Sequence, residues 1–172
     1  MAENIMRALS RYAPDLLLLL ALYLLLLRRW AKQGGRRVLV YTAFYVYMAG
    51  VLWVTVLPLV SLLGVHHPYV PMILEPFRDL RAGYGDAERQ LLLNVLMTVP
   101  FGGLWPVVRR GKAGVLRTVG AAFFMSLCIE LVQPLLPTAR TADITDLICN
   151  TAGALVGYGL YRPWKKHLHV WM

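Results

Sequence analysis

Residues 126–158 read SLCIELVQPLLPTARTADITDLICNTAGALVGY, two apolar runs in which Ser126, Glu130 and Gln133, then Asp146 and Asn150, are the polar insertions. A charged side chain in hydrocarbon costs about 2.5–3.5 kcal/mol on insertion scales, so an acid inside a spanning helix is first a candidate for function. Helix neighbours lie three and four positions apart. Ser126, Glu130 and Gln133 keep that spacing, and so do Asp146, Asn150, Gly153 and Gly157. Each run is thus a helix with one polar or small-residue stripe. Gly153 and Gly157 form a small-xxx-small pair that lets another helix approach closely. Stripes of this kind face protein rather than lipid, and they decide the fold class: an all-α, polytopic transmembrane helix bundle.

The rest of the chain agrees. Of its 172 residues 58% are hydrophobic, and mean hydropathy is +0.55, whereas ordinary globular domains are about 45–50% apolar. The net charge of +9 could suggest a nucleic-acid partner, but the basic residues cluster between apolar runs instead of along a soluble face. The positive-inside rule explains such clusters without nucleic acid. No polar linker divides the sequence, so residues 1–172 read as a single membrane domain of about five helices.

The approximate spans are 12–28, 38–63, 90–108, 115–136 and 146–161. The first is followed by RRWAKQGGRR, a basic patch that holds a helix end in the cytoplasm, and no small-residue cleavage site follows the run. It reads as a retained helix with the N-terminus outside. Tyr41, Phe44, Tyr45 and Tyr47 open the second span as an aromatic belt, and Pro58 kinks or ends it. The connection 64–89 mixes charges and is placed outside, with PMILEPFRDL (71–80) as a short interfacial element. Arg109, Arg110, Lys112 and Arg117 put the next connection inside, and Arg162, Lys165 and Lys166 put the C-terminus inside. The protein is expected in the cell membrane, as a multi-pass protein.

A rise of 1.5 Å per residue places Glu130 about 20 Å above Arg117, hence about 10 Å short of the outer boundary of a ~30 Å hydrocarbon core. Asn94 and Asn150 fall at comparable depth below the same boundary. The expected ligand-binding candidates are Asn94, Ser126, Glu130, Gln133, Arg140, Asp143, Asp146 and Asn150. Pro134 adds a free acceptor, because a proline cannot donate to the carbonyl four residues back, here that of Glu130. Arg140 is the expected neutralising partner of the acids. Asp143 and Asp146 have an alternative role, capping the last helix.

Pro100, Gly102, Gly153 and Gly157 are expected to serve helix packing, within the chain or between the copies of a homo-oligomer. Cys128 and Cys149 read as small hydrophobes that could also lie at one depth. His66 and His67 lack partners at ligand spacing, and His167 and His169 read as surface residues. No metal site and no cofactor is expected. Membrane lipids are the expected surroundings.

Three segments, NVLMTVPFGGLWPVV (94–108), SLCIELVQ (126–133) and RTADITDLICNTAGALVGY (140–158), resemble the VanZ-like membrane proteins in their order and spacing. They carry an Asn-to-Pro-Phe-Gly helix, a Ser-x-x-x-Glu-x-x-Gln helix and an Arg-x-x-Asp-x-x-Asp-x-x-x-Asn-x-x-Gly ending. PMILEPF resembles the family's short Pro-Phe element loosely, with Glu75 where asparagine is expected. The resemblance implies a polytopic membrane protein and, for the family's namesake, low-level resistance to teicoplanin-type lipoglycopeptides. It assigns no catalytic residue.

The expected function is therefore non-enzymatic: an outward-facing polar site that engages an amphiphile, either the lipoglycopeptide or a lipid-linked cell-wall precursor. The alternative is a membrane-embedded enzyme acting on a lipid-linked phosphate or sugar, with Glu130, Asp143 and Asp146 as acid-base groups or metal ligands. A transporter ranks third, since transporters bind near the midplane and often show repeats.

Overall fold

The computed structural model describes residues 2–62, 65, 68, 70–136 and 141–168, with the backbone alone for 2–9 and 61. Among them all regular structure is helical apart from one isolated bridge, Ile73 with Asp143. Two compact units result, Met1–Pro68 and Tyr69–Met172.

In the first unit α1 covers Ala2–Ala31 and α2 covers Gly35–Thr55. The turn between them requires Gly34, whose φ of 99° is left-handed. Leu16, Leu17, Leu18, Leu20, Leu24 and Leu25 all stay exposed on α1, as side chains meant for lipid do. Aromatics and hydroxyls join the helices instead. The Tyr45 hydroxyl donates to the carbonyl of Leu19 at 2.6 Å, Tyr23 and Thr42 share a bond of 3.3 Å, and Tyr12 stacks on Trp53 at 4.7 Å. Tyr41 and Tyr45, expected as part of a belt, lie against Trp30 of α1.

The second helix ends at Thr55 rather than at 63. Pro58 is the reason, because it has no N–H and disfavours helix in the residue before it. The N–H groups of Val56 and Leu57 both fold back to the carbonyl of Leu52. Those of Leu59 and Val60 go to Asp15 Oδ1 in α1, at 3.0 and 2.9 Å, and a single 3₁₀ turn follows at Val60–Leu62.

The second unit contains α3 (Arg78–Arg81), α4 (Ala87–Val108), α5 (Val115–Val132), a 3₁₀ turn at Gln133–Leu135, and α6 (Ile144–Leu168). The tightest contact is between α4 and α6, and glycines make it possible. A Cβ on Gly102 would meet the carbonyl of Ala154, one on Gly153 the carbonyl of Val95 and the hydroxyl of Thr98, and one on Gly157 the carbonyl of Val99. Numbers rise together along the two helices, so they run parallel. α5 runs antiparallel to α6, with Ser126 opposite Asn150 and Glu130 opposite Asp143. Ala122 and Ala154 are fully buried inside this unit, and Phe101 is 3% exposed.

Gly102, Gly153 and Gly157 thus serve an intramolecular contact. Pro100, expected with them, is exposed, and the proline buried in α4 is Pro106. The expected interfacial element at 71–80 is a helix only at Arg78–Arg81. Pro71 and Pro76 exclude a longer one, and Phe77 at φ 56° breaks the path. The segment instead runs extended past 142–144: the N–H of Ile73 donates to the carbonyl of Ala142 at 2.9 Å, and the N–H of Ile144 to the carbonyl of Ile73 at 3.0 Å.

Four helices among the described residues are long and apolar enough to cross a membrane, Ser10–Ala31, Gly35–Thr55, Ala87–Val108 and Val115–Leu135. The fifth expected span, 146–161, lies within the 25-residue α6. Asp146 and Asn150 near one end and Arg162, Lys165 and Lys166 near the other dilute its apolar character.

Candidate functional site

One end of the second unit gathers the start of α4, the end of α5 and the start of α6. α5 delivers Ser126 and Glu130 one turn apart, 0% and 2% exposed. α6 delivers Asp146 and Asn150 one turn apart, and Asn150 is 2% exposed. Helical spacing therefore aligns the two pairs across an antiparallel contact. Asn150 Nδ2 donates to Ser126 Oγ at 2.8 Å, and the backbone N–H of Asp143 donates to Glu130 Oε2 at 3.0 Å. On the other side Asn94 Nδ2 of α4 donates to Asp146 Oδ1 at 2.5 Å.

Asp143 caps α6: its Oδ1 accepts the N–H of Thr145 at 2.7 Å. The helix-capping role is thus real for Asp143, while Asp146 bonds across to α4. Thr145 also binds the extended segment, its Oγ1 accepting the N–H of Phe77 at 2.9 Å. Gln133 is 6% exposed, and its side chain makes no hydrogen bond among the described residues. Pro134 is buried beside it. Arg140, the expected counter-charge, lies outside the described residues, as do His66, His67 and His169.

The structure therefore brings Asn94, Ser126, Glu130, Asp143, Asp146 and Asn150 into one hydrogen-bonded layer. Among the described residues Glu130 takes the N–H of Asp143 on Oε2, and Asn150 Oδ1 is buried without a partner. Removing a carboxylate from water costs several kcal/mol unless it is paired. Such a layer can accept donors from a ligand. Among the described residues no three His, Cys, Asp or Glu side chains stand where they could hold a metal ion. Cys128 and Cys149 are free thiols, the first exposed and the second buried.

Three polar residues stand outside the candidate set read from the sequence. Thr145 ties the extended segment down. Thr98, fully buried, bonds back to the carbonyls of Asn94 and Val95 and fills the space beside Gly153. Asp15, 2% exposed in the first unit, was legible by the rule that found Glu130, an acid within an apolar run.

Four helices among the described residues that are long and apolar enough to cross a membrane point to a membrane protein. Comparison with known proteins gives the family: the VanZ/LLP1 profile matches residues 44–166, and the chain belongs to that family. Protein VanZ of Enterococcus faecium is 35% identical over 81 residues, which are 47% of this chain and 49% of that protein. The chain thus spans about half the length of the curated relative it matches. No solved structure matches it.

Proposed function

We propose that this chain is a multi-pass protein of the cell membrane that contributes to low-level resistance to teicoplanin-type lipoglycopeptides. Its polar layer opens outward and engages an amphiphile, either the acyl-bearing antibiotic or a lipid-linked wall precursor. The observation that carries this reading is the convergence of Asn94, Ser126, Glu130, Asp146 and Asn150 from three helices at one end of the second unit, with Glu130 buried and accepting the N–H of Asp143. A layer about 5–10 Å below a hydrocarbon boundary is where head groups meet tails. The family membership supports the link to resistance.

The test is the minimal inhibitory concentration of teicoplanin and of vancomycin for a susceptible Gram-positive host. Cells would express the wild type, Glu130→Gln or Asp146→Asn, with membrane levels measured in parallel. Wild type is expected to raise the teicoplanin value selectively, and either substitution to abolish the rise at equal expression. Undiminished resistance in both variants sinks the proposal.

A further inference from the structure

We propose that the basic end of the second unit binds the phosphate head group of an anionic phospholipid, at a site separate from the polar layer. Three segments bring its cations together. α4 lies parallel to α6, with Gly102 against Ala154 and Tyr158 and Gly157 against Val99. Counting on at equal rise brings Arg109, just past the end of α4, level with the turn of α6 that holds Arg162, Lys165 and Lys166. The connection to α5 then folds back, the N–H groups of Gly111 and Lys112 donating to the carbonyls of Pro106 and Arg109 at 2.8 and 3.0 Å. Arg117, in the first turn of α5, is tied to that connection, its Nη1 donating to the carbonyl of Lys112 at 3.1 Å.

No acid of the unit answers these cations. Asp and Glu are absent from 89–129 and from 147–172. Glu130 lies about 20 Å from Arg117 along α5, and Asp146 about 24 Å from Arg162 along α6. Both exceed the ~8 Å Debye length at physiological ionic strength, beyond which exposed charges are largely screened. Among the described residues none of the six side chains pairs with a carboxylate. Lys165 is half-buried and the other five are exposed, with the Arg109 guanidinium 5.8 Å from the centre of the Trp105 ring.

The surroundings favour a lipid over a soluble phosphate. Leu116, next to Arg117, is exposed, and so are Leu160 and Trp164, on either side of Arg162 along α6. Apolar groups of this kind suit acyl chains, while the cations beside them suit the phosphate that joins those chains to the head group. Basic clusters at the ends of membrane helices recognise anionic head groups, and the fork of an arginine bonds two phosphate oxygens at once.

The experiment uses the full chain in dodecyl maltoside, titrated with dioctanoyl phosphatidylglycerol, dioctanoyl phosphatidylcholine or glycerol 3-phosphate. Binding is read by native mass spectrometry and from the shift in unfolding midpoint. Phosphatidylglycerol is expected to bind about tenfold or more tighter than either other probe, and the margin to shrink as salt is raised. Arg162→Gln, Lys165→Gln and Lys166→Gln combined should remove most of the margin, and so should Arg109→Gln with Arg117→Gln. Arg78→Gln, Arg81→Gln and Arg89→Gln combined, which remove as much charge at the acidic end, should leave it unchanged. Circular dichroism checks the helix content of each variant.

Equal binding of phosphatidylglycerol and phosphatidylcholine overturns the proposal, as does a margin that survives in both variants of the basic end. Equal loss in the variant of the acidic end also overturns it, because net charge and not the cluster would then set the affinity. Glycerol 3-phosphate binding as tightly as phosphatidylglycerol would mark a site for a soluble phosphate and contradict the lipid head group.

Discussion

Asp15 is held in α1 with its Oδ1 accepting two backbone N–H groups from beyond Pro58. Replacing it by leucine strands both donors, and each stranded donor costs about 1–3 kcal/mol. Asp15→Leu should therefore lower stability by about 2 kcal/mol or more, and Asp15→Asn, which keeps the acceptor, by much less. Denaturant unfolding of the purified protein checks this; equal stabilities for the two variants would contradict the capping role. In the sequence Asp15 stands near the helix start, with Arg7 and Arg11 as its nearest opposite charges. Its true partners lie 44 and 45 residues away, behind a break in α2 that only the folded chain brings near. Glu130 was legible because Ser126 and Gln133 share its stripe, and Asp146 with Asn150 repeats the pattern. Its bond to the Asp143 N–H was not, since nothing in the spacing fixes the path between α5 and α6.

At the level of elements, the parallel contact of α4 and α6 depends on hydrogen in place of a side chain. Gly157→Val would drive a Cβ into the carbonyl of Val99, whereas Gly159 has nothing within 4 Å and should tolerate alanine. Overpacking costs about 1–3 kcal/mol in well-packed interiors. Gly157→Val should cost at least that, and Gly159→Ala close to none, as read from thermal unfolding in detergent. The strap at 70–77 makes a separate prediction. The N–H groups of Ile73 and Ile144 are bonded across it, so both amides should exchange slowly with deuterium, and Thr145→Val, which frees the N–H of Phe77, should speed exchange at Phe77. The stripe of Gly153 and Gly157 announced the helix contact from sequence, but its partner helix and parallel sense are properties of the assembled unit. The strap escaped notice because its pairing is a single bridge and has no alternation to betray it.

Across the second unit, charge is divided between the ends. α4 and α6 run parallel and finish near Arg109, Arg110 and Lys112 and near Arg162, Lys165 and Lys166, while the opposite end carries Glu130, Asp143 and Asp146. Cytoplasmic ends collect Lys and Arg, so this division predicts an outward-facing acidic layer. The pattern was readable in the sequence as loop composition. That the three acids share one end required the fold. The proposed site depends on that orientation, and an impermeant maleimide tests it most directly. In a background with Cys128→Ala and Cys149→Ala, Glu75→Cys should label in intact cells, and Lys165→Cys only after permeabilisation. The reverse pattern would put the polar layer on the cytoplasmic face and contradict an outward-facing site.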